Sequence, residues 1–300
     1  MRSTTLFVIG NGFDLWHGIP SRYADFRQYV RQQDRDLFDA IDRYLPADEE
    51  WNDLEAALAE IDVDSIIDDL GHFMPSYGAD DWSDSGHHDF QYEVEQVVQR
   101  LSTELRTRFA EWIRSLEIPT PDTAVKRLNR IDASAAFLTF NYTSTLASLY
   151  AVPSSHVLHI HGEASMQDSE LILGHAWNPA QRRSLNDRPD IEDIDTRLME
   201  AHGILDDYFS KTFKPSERLI GEHQAFFGQL GAIEAVHVLG HSLAEVDALY
   251  IQALLRMPSV AAAHWHVVCR SEQERQAKRD RLISLGVSPQ RAMSAVWTDY

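Results

Sequence analysis

One cysteine, Cys269, stands among 300 residues. A lone thiol makes neither an internal disulfide nor a cysteine-rich zinc site, which excludes the stapled secreted scaffolds and fits a reducing cytoplasm. Long hydrophobic runs are also missing. No stretch approaches the ~18 apolar residues of a membrane-spanning helix, and the N-terminal MRSTTLFVIGN offers only the short run TLFVI before Gly10, too little for a secretory leader. Basic residues are scarce: 27 Lys and Arg face 47 Asp and Glu, for a net charge of −20. Such a surface repels phosphate backbones, so nucleic-acid binding would need a local basic patch. The densest basic stretch, RSEQERQAKRDR at 270–281, carries three acids of its own and reads as a solvated amphipathic helix. The expectation is a cytoplasmic protein with no direct nucleic-acid partner and no membrane partner.

What is present is ordinary for a soluble globular chain: 44% hydrophobic and 25% charged residues. Apolar, β-branched runs recur in TLFVIG (5–9 and Gly10), AAFLTF (135–140), HVLHIHG (156–162), ELILG (170–174), EAVHVLG (234–240) and HWHVVC (264–269), with a weaker one in AMSAVW (292–297). Four of them run straight into Gly, as parallel strands do when the loops at their carboxyl edge carry function. Between them, 216–230, 244–257 and 271–286 space apolar residues three or four apart, the helical pattern. Strand-then-helix alternation predicts an α/β fold, a doubly wound, mostly parallel sheet of about six or seven strands. One region departs from it. Residues 22–117 read as almost all helix, broken by the soft segment PSYGADDWSDSGHHD (75–89). We read a single unit over 1–300 with a helical insertion at 31–121 that serves as a lid or a partner surface.

Several strand ends carry chemistry. Gly10-Asn11-Gly12 closes the first strand, where a glycine turn lets backbone approach a pyrophosphate. The dinucleotide fingerprint then wants glycine at 15, and Leu15 stands there, which disfavours an ordinary dehydrogenase; a tight turn without ligand is the other reading. Asn141 and Thr143 follow the run AAFLTF, placed either to bind a ribose hydroxyl, phosphate or water, or to cap the next helix. His159 and His161 alternate onto one strand face. They read as a metal pair, as a general base at the strand end, or, for His159, as a satisfied core histidine. Gly240-His241-Ser242 and Asp247 close another strand, where Ser242 and Glu245 also form a capping-box pattern. Together, these ends put Gly, Asn, His and Ser on the one sheet edge where open α/β folds bind ligands.

GNGFDLWHGIPSRYADF, WNDLE, TFNYTSTLASLY, VLHIHGE, LILGH and VLGHSLAEVD occur in this order, and together they resemble the bacterial AbiH family of phage abortive infection. The same elements are similar to a remote version of the sirtuin-like, Rossmann-type NAD-binding fold. Gly10-Asn11-Gly12-Phe13-Asp14, then Gly18-Ile19-Pro20 and Asp25-Phe26-Arg27, resemble the sirtuin Gly-Ala-Gly-Ile-Ser and Gly-Ile-Pro-Asp-Phe-Arg. Phe140-Asn141-Tyr142-Thr143, His161-Gly162 and Gly240-His241-Ser242-Leu243 resemble the sirtuin Gln-Asn-Ile-Asp, His-Gly and Gly-Thr-Ser-Leu. Two departures stand out: Thr143 replaces an Asp, and the four-cysteine zinc module is absent, which argues against a protein deacetylase.

The resemblance implies an NAD glycohydrolase of anti-phage defence, taking NAD as substrate, without a metal, and releasing nicotinamide and ADP-ribose. His161, Asn141 and Asp14 would be catalytic. Gly10, Asn11, Gly12, Phe13, Thr143, Gly240, Ser242 and Asp247 would bind the nucleotide. The other expectation is a non-catalytic sensor of NAD or an ADP-ribose derivative that signals to a partner. For the hydrolase, restraint by a homo-oligomer or by an activating or inhibiting protein partner is expected, since a free NAD hydrolase harms its host.

Overall fold

The computed structural model describes residues 3–74, 88–166 and 171–300; most of the soft segment expected at 75–89 lies outside the described residues. The chain divides into two compact units, one built from 1–22, 112–172 and 215–300 and the other from 23–111 and 173–214.

The first unit holds the sheet. Its strands are β1 (Thr5–Ile9), β2 (Ala136–Thr139), β3 (Val157–His159), β4 (Ala235–Leu239), β5 (His264–Cys269) and β6 (Ala292–Val296). They lie in the order β3-β2-β1-β4-β5-β6, every neighbouring pair parallel. Side chains alternate across a strand, so Leu6 and Val8 enter one core with Leu138, Val236, Val238, Trp265 and Val267. Phe7 and Ile9 enter the other, with Phe137, Leu239 and Val268. Burial on both faces explains why these strands read as unbroken apolar runs rather than alternating ones. Each large side chain so buried contributes ~2 kcal/mol.

The order is that of a Rossmann-like doubly wound sheet. The chain starts in the middle, builds outward to β3, then crosses back to lay β4 on the free side of β1. Connections therefore leave the carboxyl ends of β1 and β4 in opposite directions, which opens a crevice at that edge. The loops at the crevice are Gly10-Asn11-Gly12 and Gly240-His241-Ser242.

The third apolar run is shorter as a strand than its sequence suggests. β3 stops at His159, and Gly162, at φ +90°, turns the chain just past His161. Within ELILG, residues 171–174 form no strand; Ile172 N donates to His161 O at 2.9 Å instead. The weakest run, AMSAVW, does form the edge strand β6.

The second unit is helical, with helices at Tyr23–Gln33, Arg35–Tyr44, Leu54–Ala57, Val63–Leu70 and Asp89–Gln99, and a π-helical turn at Arg100–Glu104. The helix Thr196–Lys211 packs against Asp89–Gln99. Two sequence motifs gain a structural reason here. In LILGH, a Cβ on Gly174 would lie 1.9 Å from Thr212 O, because His175 bridges to Phe213 and the two backbones touch. In WNDLE, Glu55 pairs at 2.5 Å with Lys214, an ammonium only 1% exposed, and accepts a hydrogen bond from the Tyr23 hydroxyl at 2.6 Å. Among the described residues, no helix is long and apolar enough to cross a membrane.

Candidate functional site

The β1 and β4 loops meet backbone to backbone. Gly10 N donates to Leu239 O (3.0 Å), Gly12 N to Gly240 O (2.8 Å) and Phe13 N to Gly10 O (2.9 Å). A Cβ on Gly12 would sit 2.8 Å from Gly240 Cα, and one on Gly240, at φ +68°, 2.1 Å from Phe13 N. Only glycine fits such an approach. Three amides of the loop are thus committed inside the protein, and the Phe13 side chain is buried against His17 and Tyr150.

Asn11 has a definite task. Its Nδ2 donates to Ser21 O (2.7 Å) and its Oδ1 accepts from Ser21 Oγ (2.6 Å), which ties down the turn that begins at Gly18 (φ +85°). The Gly-Ile-Pro-Ser segment is therefore a strap fastened across the β1 loop.

Asp14 is the buried polar centre, 1% exposed. Instead of capping its short helix Gly12–Trp16, its carboxyl faces the segment after β2: Thr143 Oγ1 donates to Oδ2 at 2.6 Å and Thr145 Oγ1 to Oδ1 at 2.8 Å. Burial pushes the Asp14 pKa up from 3.8 to about 6, against the opposing pull of Thr143, Thr145 and Asn141. Asn141 is 7% exposed. It lies close enough to Asp14 to favour the carboxylate, yet its Nδ2 makes no hydrogen bond of acceptable geometry. An orphaned buried amide is costly, and beside a buried carboxyl it is a donor poised for a ligand.

His159 positions this segment: its Nδ1–H donates to Asn141 O at 3.0 Å, and its Nε2 stands 3.7 Å from Glu163. Burial, its largest influence, lowers its pKa despite Glu163 and Asn141.

Along 140–143, alternate residues belong to two clusters. Asn141 and Thr143 serve the Asp14 cluster. Phe140 packs its ring with those of His161 (5.3 Å), His241 (4.2 Å) and Tyr250 (5.4 Å), while the Tyr142 hydroxyl donates to Ile172 O at 2.6 Å. His161 is buried, and its Nε2 lies 3.3 Å from the Tyr250 hydroxyl. The sequence-selected catalytic residues thus fall into Asp14 with Asn141 on the one hand and His161 with Tyr250 on the other, joined through the backbone of 140–143.

The β4 loop is clamped. His241 Nδ1 accepts from Leu243 N at 2.9 Å, which puts the ring proton on Nε2, 3.5 Å from Asp247 Oδ2. Ser242 is exposed and its Oγ accepts from Ala244 N at 3.3 Å, a local turn rather than the capping box its sequence suggested; Glu245 pairs with Arg281 at 2.7 Å. Lys278 Nζ donates to the carbonyls of His241 and Ser242, both at 3.0 Å, and Arg281 Nε to Leu243 O at 2.7 Å. The basic helix read from sequence as merely solvated therefore turns two cations onto the loop.

Sequence reasoning passed over Thr145, Tyr250, Lys278 and Arg281. The Thr-Ser-Thr spacing after Asn141 and the i, i+3 basic pair were the available signals. Among the described residues, no group of three or more His, Cys, Asp or Glu side chains is placed to hold a metal ion.

The family model described as bacteriophage abortive infection AbiH matches residues 6–269. No curated protein and no solved structure matches the chain.

Proposed function

Since the chain belongs to the AbiH family of bacteriophage abortive infection, we propose that it serves phage defence by hydrolysing NAD to nicotinamide and ADP-ribose. The observation that carries this reading is the orphaned Nδ2 of Asn141 beside the buried Asp14 carboxyl, at the carboxyl edge of a Rossmann-like sheet where nucleotides are bound.

Breaking the nicotinamide N-glycosidic bond builds positive charge on the ribose. Asp14, once ionised, stabilises that charge at short range in a buried setting. Asn141 donates to the ribose or to the attacking water. His161 takes the proton from the water or from a ribose hydroxyl, its ring held by Tyr250 and Phe140. The diphosphate lies along the Gly10–Gly12 turn and Gly240, held by groups other than the three amides that join the two loops, with Phe13 buttressing the turn from the core. Thr143 acts through Asp14, and Ser242 and Asp247 lie on the adenosine side. Nicotinamide departs as a neutral molecule, so no metal is needed.

The test separates binding from turnover. Asn141→Ala and His161→Ala are expected to abolish turnover, with His161→Ala still binding NAD by calorimetry and both variants melting like the parent. Full activity in both variants would sink the mechanism. Binding of NAD or ADP-ribose by the parent protein without any turnover would make it a sensor.

A further inference from the structure

The oxygens of Asp14, Thr143 and Thr145 close a circuit. Thr143 Oγ1 is 2.6 Å from Asp14 Oδ2, Thr145 Oγ1 is 2.8 Å from Oδ1, and the two hydroxyl oxygens are 3.1 Å apart. Each of these contacts needs one proton. A hydroxyl brings one and a carboxylate none, so with Asp14 ionised two protons serve three contacts, and the Thr145 proton is split between Asp14 Oδ1 and Thr143 Oγ1, which leaves the 3.1 Å oxygen pair only partly matched. With Asp14 protonated the count closes: Asp14 Oδ1–H donates to Thr145, Thr145 to Thr143, and Thr143 to Asp14 Oδ2. All three residues are buried, which makes an unmatched oxygen pair expensive.

We propose that Thr145 closes a three-proton ring that keeps Asp14 a neutral acid at pH values where an ordinary aspartate is ionised, and that Asp14 gives up its proton to solvent when a cationic group reaches it. Thr145 is thus a positioning residue that acts through Asp14. The cation step rests on the proposed NAD reading, in which the pyridinium of NAD is the arriving charge; the ring does not. Burial favours the uncharged acid as well. The threonine hydroxyls favour the carboxylate while they donate to it, so the ring acts through the protonated arrangement, in which Thr145 accepts from Asp14 instead of donating to it.

The titratable groups on the surrounding elements have their own engagements. On the Asp14 helix, His17 donates from Nδ1 to Phe13 O and accepts at Nε2 from the Tyr150 hydroxyl, both at 2.7 Å, and burial lowers its pKa to about 4. At the end of β3 stands His159 with Glu163, and just past it His161 with Tyr250. After β4 stands His241 with Asp247. The three neighbours acting on Asp14 itself are all neutral.

The experiment is isotope-edited infrared spectroscopy of 13C-aspartate-labelled protein at pH 5.5, where an ordinary aspartate of pKa ~3.9 is ionised. The parent is expected to show a protonated carboxyl band that Asp14→Asn lacks. Thr145→Ser, which restores the hydroxyl, should leave it in place. Thr145→Val, which matches the shape without the hydroxyl, should move or abolish it. Three results would overturn the ring: no protonated band in the parent, a Thr145→Val band identical to the parent's, or a Thr145→Ser band displaced as far as that of Thr145→Val. If Asp14→Asn does not fold, 13C NMR titration of the labelled parent and the two Thr145 variants reads the same midpoint. Addition of NAD to the parent should then deplete the band. A band that NAD leaves unchanged, in protein that binds NAD by calorimetry, would overturn the cation step while leaving the ring standing.

Discussion

At the scale of the residue, Asp14 sets the terms. Its pKa rises from 3.8 to about 6 in the folded protein, about two units or ~3 kcal/mol. The sign follows from linkage: a raised acid favours folding while protonated, so its contribution is complete below pH ~4 and is lost as pH climbs through ~6. Asp14→Asn, neutral at every pH, is expected to exceed the parent in stability at pH 7.5 by up to ~3 kcal/mol, several degrees in melting temperature, and to match it near pH 4. Calorimetric melting at the two pH values checks this; an equal gap at both would contradict it. Under the proposed function the same variant loses turnover, the trade of stability for activity that a buried charge imposes. The sequence marked Asp14 only weakly, because an acid in the first turn of a helix reads as a cap. Its burial depends on Thr143 and Thr145, about 130 positions away, which no local pattern reveals. Thr143 hydrogen-bonds the acid that lies on the other loop.

At the scale of the element, strand ends were legible and loops were not. Runs of apolar residues ending in Gly located β1 and β4 because burial on both faces writes itself as uninterrupted hydrophobicity. The glycines themselves carry different costs. Gly240→Ala is expected to cost at least ~3 kcal/mol, since a Cβ at φ +68° would press to 2.1 Å from Phe13 N and two rigid backbones would have to part. Gly18→Ala, at φ +85° with nothing within 4 Å, should cost only the left-handed backbone penalty of ~1–2 kcal/mol. Denaturant midpoints compare the two; equal costs would show that the junction yields. The clamp by Lys278 and Arg281 escaped notice because alternating charge along a helix looks the same whether it faces water or a carbonyl-rich loop. The run HVLHIH was overextended as a strand for a local reason, the turn at Gly162.

At the scale of the whole molecule, the alternation of strands and helices announced a doubly wound sheet, but the strand order came only from the structure. That order matters most, because placing β4 beside β1 brings Gly10 and Gly240 to one crevice with Asn141 nearby on the β2 side. The helix Thr196–Lys211 and its place in the second unit were also beyond the sequence reading, since it pairs with Asp89–Gln99 across a separation of about a hundred residues. The acidic balance of the chain and the neutral leaving group of the proposed reaction make a further expectation: preincubation with EDTA should leave NAD consumption unchanged, whereas loss of activity would point to a metal-dependent nucleotidase or nuclease. The most direct test is to incubate the purified parent and His161→Ala side by side with NAD at pH 7.5 and resolve the products by chromatography. Equimolar nicotinamide and ADP-ribose from the parent alone is the expected result; equal NAD loss in both proteins, or products other than these two, would contradict it.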